Sequence, residues 1–179
     1  MGRRGRILFR PDTIPAADFT ETAQGDRGPV LCLLFRTIER SDRKLKKTID
    51  ELIQEPYWII DILPEQVPKD SPGQFFAVEK YFLTEERLTA IKQKHINLIL
   101  KLNCYMDIYT DNGATCNPPP DRIDEEMRDR YMYIIMDDGM ILSEPDDTHM
   151  TLFSPGERLL NLVREIAGAE GLFVWGPLP

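Results

Sequence analysis

Apolar positions change their period several times along the chain, and each change marks an element. Val30 to Ile38 is a short apolar, β-branched run and predicts a buried strand. The period then lengthens. Leu45, Ile49, Leu52 and Ile53 fall on one helical face, with Ser41 placed as N-cap and Pro56 as stop. "YWIIDILP" is again a continuous apolar run and predicts a second strand, closed by Pro64. Two buried strands joined by a helix of this length point to a β-α-β unit with parallel strands. Ser71-Pro72 predicts a helix start, with Phe75, Val78 and Phe82 on the apolar side. Thr84 caps a longer helix whose stripe is Leu88, Ile91, His95, Leu98, Ile99 and Leu102.

In the second half "MDIYT" predicts a short strand, Asn112-Gly113 a tight turn, and residues 124–130 a short acidic helix after three consecutive prolines. Residues 131–153 read as an antiparallel meander. Asp138-Gly139 is the preferred pair for a type I′ hairpin turn, which would set Asp137 opposite Met140, Ile135 opposite Leu142 and Tyr133 opposite Glu144. A second turn, "PDDT", leads from Glu144 to His149. Alternation puts Met132, Ile134, Met136 and Ile141 on one face and Tyr133, Ile135, Met140 and Leu142 on the other. Both faces therefore need cover. "SPGE" reads as a capping box with Ser154 at the N-cap, opening a helix with the stripe Leu159, Leu160, Leu162, Val163 and Ile166. Gly168 or Gly171 ends that helix, and "LFVW" makes a last strand. The expected fold is α/β or α+β, a mixed β-sheet with the meander and helices packed on it. Residues 1–29, rich in Gly, Pro, Thr and charge, predict a flexible or peripheral arm, and residues 30–179 a single domain.

Charge changes this picture in one place. The 179 residues carry a net −8, and residues 106–150 hold three Arg/Lys against twelve Asp/Glu, net −9. An acidic segment disfavours phosphate-backbone binding, so no nucleic-acid partner is expected. No apolar run reaches the roughly 20 residues that cross a bilayer, and no secretory signal is read at the start, so the expected setting is the cytoplasm without a membrane. Cys32, Cys104 and Cys116 have no C-x-x-C spacing and predict free thiols. Phosphate-loop, dinucleotide and nucleophile-elbow motifs are missing, so no cofactor is implied and catalysis is not the leading expectation.

The leading expectation is a non-catalytic protein-binding chain, resembling an immunity protein or antitoxin in charge and size. It would present Asp124, Glu125, Glu126 and Asp129 to a basic protein. The alternative is a small enzyme or ligand-binding protein. Its site would lie in the 64–74 loop, which follows a strand and offers Glu65, Gln66, Lys69, Asp70 and Gln74, or at the 144–149 turn. Glu144, Asp146, Asp147 and His149 are the candidate metal ligands at that turn, but their spacing matches no known calcium loop or zinc motif, and turn chemistry accounts for them. Asp137 lies at the other end of the meander, about 23 Å away at ~3.3 Å per residue, and cannot join them. His95, on an apolar stripe, predicts a core histidine with one satisfied nitrogen.

The phrases "YWIIDILPEQVPKDSPGQFFAVEKYFL" and "AEGLFVW" resemble segments of a family of small, uncharacterised bacterial proteins, mainly from clostridia-type organisms. The resemblance spans roughly residues 30–179. It implies a bacterial cytoplasmic setting and carries over no functional residues.

Overall fold

The computed structural model describes residues 48–137 and 139–176. The predicted arm, the 30–38 strand and the Ser41 cap lie outside them. The first described helix, α1, is Ile49–Leu52. Thr48 caps it reciprocally: Glu51 N–H donates to Thr48 Oγ1 at 3.3 Å, and Thr48 N–H donates to Glu51 Oε2 at 2.7 Å. Strand β1 follows at Tyr57–Asp61, then helices α2 at Phe75–Phe82 and α3 at Glu85–Asn103. Short strands β2 (Tyr109–Thr110) and β3 (Thr115–Cys116) flank a 3₁₀ turn at Asp111–Gly113. Helix α4 is Pro120–Asp129. Strands β4 (Met132–Met136), β5 (Gly139–Ser143) and β6 (Met150–Phe153) form the meander, followed by helix α5 (Glu157–Glu170) and strand β7 (Phe173–Trp175).

The seven strands make one sheet in the order β3-β2-β4-β5-β6-β1-β7, with every pairing antiparallel. A mixed α/β fold with an antiparallel meander is thus correct. The first strand of the expected β-α-β unit lies outside the described residues; both edges of β1 are taken, by β6 and β7, each antiparallel. The meander's faces also follow the alternation. Met132, Ile134, Met136 and Ile141 join the main core with Ile96, Ile99 and Leu102 of α3, Met127 of α4 and Leu159 and Val163 of α5. On the opposite face Ile135, Met140 and Tyr109 are buried with Leu52 of α1. Each fully buried aliphatic side chain is worth about 1.5–3 kcal/mol, so the two layers account for why a sheet apolar on both sides is stable.

The hairpin register differs from the expected one. Met136 faces Gly139, Ile135 faces Met140 and Tyr133 faces Leu142, so Gly139 is already inside β5. Its φ is not positive, unlike those of Gly113 and Gly171. Gly139 is there for space. A Cβ on it would stand 2.9 Å from the Phe153 carbonyl oxygen, 3.0 Å from Leu159 Cδ2 and 3.2 Å from Pro155 Cα. The shift moves pairs by two positions in sum, so each side chain keeps its face.

Three helix starts also differ. α2 begins after Gln74, not at Ser71-Pro72, and Ser71 Oγ instead accepts from Gly73 N–H at 3.3 Å. α4 begins four residues before the expected 124, because Pro120 occupies the first turn, where its missing N–H costs nothing. α5 has Gly156 as N-cap with no side-chain cap bond. Ser154 sits at φ 47° and gives its N–H to the Pro56 carbonyl at 2.9 Å, extending the contact between β6 and the start of β1. Gly171, at φ 71°, ends α5 in the left-handed conformation, with Leu172 N–H returning to Ala167 O at 2.8 Å.

Candidate functional site

Strand parity decides which side of the sheet is free to hold a site. Ile60 and Val174 pair with each other and belong to the main core, so their neighbours Ile59, Asp61 and Trp175 face away from helices α3–α5. On that side a cleft of about 320 Å³ opens. Its floor is Ile59, Asp61 and Trp175. One wall is the loop after β1, with Ile62, Leu63, Glu65, Gln66 and Val67. The other is one side of α2, with Phe75, Val78, Glu79 and Phe82. Thr148 and His149, at the end of the β5–β6 turn, close it.

The cleft therefore joins two stretches that the sequence offered as separate alternatives. Glu65 and Gln66 of the 64–74 loop and His149 of the 144–149 turn line the same space. Lys69, Asp70 and Gln74 do not line it, and Gln74 serves as the N-cap of α2. Glu144, Asp146 and Asp147 do not line it either. Among the described residues no three His, Cys, Asp or Glu side chains gather as a metal ion would need, the turn's own four included.

The local bonding explains the shape. Trp175 Nε1–H donates to Leu63 O at 3.0 Å, tying β7 to the loop and holding the indole against the cleft. Asp61 Oδ1 accepts from Leu63 N–H at 3.2 Å, which turns the chain sharply after β1. Burial raises the Asp61 carboxyl above its usual range, against the lowering effect of the Leu63 and Ile62 backbone N–H groups and of His149. Asp147 Oδ1 lies 2.7 Å from His149 Nδ1 and also accepts His149 N–H at 3.3 Å. That bond raises the His149 imidazole, outweighing burial. For Asp147 burial pushes upward, but the His149 side chain and the His149 and Thr148 backbone outweigh it and hold the carboxyl low. Nδ1 is thereby occupied, and Nε2 has no protein partner among the described residues. An imidazole fixed by a carboxylate through Nδ1 can exchange a proton at Nε2.

Behind the turn lie two groups on α3. Lys92 is buried and donates from Nζ to the Glu144 carbonyl. Burial brings its pKa down to about 8, against the pull of Asp147, Asp146 and Glu144. His95 is fully buried, and both ring nitrogens lack a partner, where one satisfied nitrogen was expected. Its pKa falls to about 3, through burial first and then the neighbouring Lys92 and His149 charges. Lys92 anchors the turn that carries His149, so α3 positions the site without lining it.

The acidic helix is organised differently. Asp124 pairs with Arg128 at 3.0 Å, and Glu126 pairs with Arg122 and Arg130, each at 2.7 Å. Arg122 and Arg130 also hold Asp111, at 2.7 and 2.9 Å. Two of the four candidate carboxylates are thus occupied by arginines of the same segment, while Glu125 and Asp129 face solvent.

Asp61 and Trp175 are cleft residues that were not singled out beforehand. Asp61 did leave a signal, as a lone acid within an apolar strand; Trp175 left none beyond its strand assignment. No family model, no curated protein and no solved structure matches the chain. The geometry alone carries the reading that follows.

Proposed function

We propose that the chain is a small-molecule-binding protein and that its ligand occupies the cleft between β1, the 64–74 loop and α2. One observation carries this: the cleft brings an oriented histidine and a half-buried carboxylate to a mostly apolar space. Concave, mostly apolar space with a few convergent polar groups is the usual form of a ligand site, and about 320 Å³ lies at the small end of the range such sites span. The ligand's body lies against Ile59, Val78, Phe75 and Phe82, and its polar group meets Asp61 and His149. The acidic face of α4 supports docking to a basic protein less well, because Asp124 and Glu126 already hold arginines.

A thermal-shift screen of small metabolites tests the reading, repeated on Val78→Trp, which places an indole where the ligand body would lie. Binding compounds should raise Tm in the native chain and lose that effect in Val78→Trp. A hit that stabilises both proteins equally would place its site elsewhere, and a screen without hits would count against a ligand cleft.

A further inference from the structure

We infer that the cleft takes an organic cation: a small amine with an aromatic or aliphatic body. This rests on the ligand-site reading above and names the ligand class. Among the described residues the acidic side chains that line the cleft are Asp61, Glu65 and Glu79, and no Lys or Arg lines it. The arginines and lysines that form ion pairs among the described residues spend them on Asp111, Asp124, Glu126 and Glu170, and none reaches the three cleft carboxylates. Among the described residues His149 is the one lining group able to carry positive charge, and Asp147 answers it at 2.7 Å. Asp61 is left with backbone N–H groups as its partners, Leu63 among them at 3.2 Å.

Three consequences follow for a ligand. An anion would meet three carboxylates, with His149, already paired to Asp147, as the counter-charge among the described residues. A neutral molecule would leave the half-buried Asp61 as it is, with burial opposing its ionised form. A cation supplies what the protein withholds and gains a charge-assisted hydrogen bond in a partly desolvated place. Glu65 and Glu79 are exposed and screened, so they steer a cation to the mouth, and Asp61 does the holding. The rings of Phe75, Phe82 and Trp175 provide the kind of wall that accommodates an ammonium group or its apolar body. The volume is that of roughly ten waters at ~30 Å³ each, which sets the scale of the body.

The test is calorimetric titration of the full chain with three probes that share one body and differ in charge: 4-phenylbutylamine, 4-phenylbutanol and 4-phenylbutyrate. The amine should bind about tenfold more tightly than the alcohol, with the butyrate weakest. Asp61→Asn, which keeps an oxygen for the Leu63 N–H, should weaken the amine more than the alcohol and bring the two affinities together. The ranking of the probes is read on the unmodified chain, so a variant that folds poorly leaves the test standing. An alcohol or carboxylate that binds as well as the amine overturns the cation assignment while leaving the ligand cleft intact. If none of the three binds, both are overturned.

Discussion

Replacing His95 by leucine tests the most exacting feature of the interior. The imidazole is fully buried and neither nitrogen has a partner. The fold therefore accepts it only neutral, and its pKa drops from 6.5 to about 3. A depressed histidine binds fewer protons in the folded than in the unfolded state. Its contribution is present above the unfolded value of 6.5 and is lost progressively as pH falls toward the folded value. Over the whole interval the loss would reach roughly 5 kcal/mol at ~1.4 kcal/mol per unit, against a typical total stability of about 5–15 kcal/mol. Between pH 7.5 and about 4.5, before most carboxylates titrate, about 3 kcal/mol should go. Leucine cannot be protonated, and it removes two unsatisfied nitrogens whose burial costs about 1–3 kcal/mol. Urea unfolding of both proteins, followed by circular dichroism from pH 7.5 downward, reads the difference. His149 titrates in both proteins and cancels to first order. His95→Leu should match or exceed the native chain at pH 7.5, and its advantage should grow by about 3 kcal/mol toward pH 4.5. An advantage independent of pH, or a leucine variant weaker by several kcal/mol at pH 7.5, would refute the reasoning.

Other consequences can be checked as directly. Gly139→Ala should cost about 1–3 kcal/mol through the crowding by Phe153 O and Leu159, and Gly139→Asn should cost more; a turn glycine held by positive φ would show the reverse order, since Asn tolerates that conformation. Gly168→Ala, inside α5 with nothing within 4 Å of the new Cβ, should raise stability by about 0.5–1 kcal/mol in the same unfolding assay. Asp147→Asn should lower the His149 pKa, read from the imidazole proton shifts by NMR. The native pair should stabilise most between the carboxylate and imidazole ranges, because the raised His149 term is lost as pH rises through its folded pKa and the lowered Asp147 term as pH falls through its own.

The elements with strong periodicity were legible in the sequence. The stripe of α3, the buried face of α5, β1 and the two faces of the meander all follow from spacing, because burial on one side imposes the period. The failures share another cause. Gly139 reads locally as a hairpin turn, yet its role is set by Phe153 and Leu159 across the fold. Ser154 reads as a helix cap, yet its backbone is committed to Pro56 nearly a hundred residues earlier. The cleft was half legible. Glu65, Gln66 and His149 were singled out for their loops, but their meeting depends on β1 and β6 being sheet neighbours, which no local pattern encodes. His95 and Lys92 could be placed on a helix, whereas their lack or choice of partner depends on what packs above them.

The two tryptophans offer the most direct test of the ligand cleft. Trp175 lines it and bonds to Leu63, while Trp58 packs against the main core. The measurement is a ¹H–¹⁵N spectrum of the full chain, with the two indole N–H signals followed during titration with amine-bearing fragments. The account predicts that binding fragments move the Trp175 indole signal, saturably and together with the Asp61 and His149 amides, and leave the Trp58 signal in place. Fragments that bind while the Trp175 signal stays fixed would contradict it.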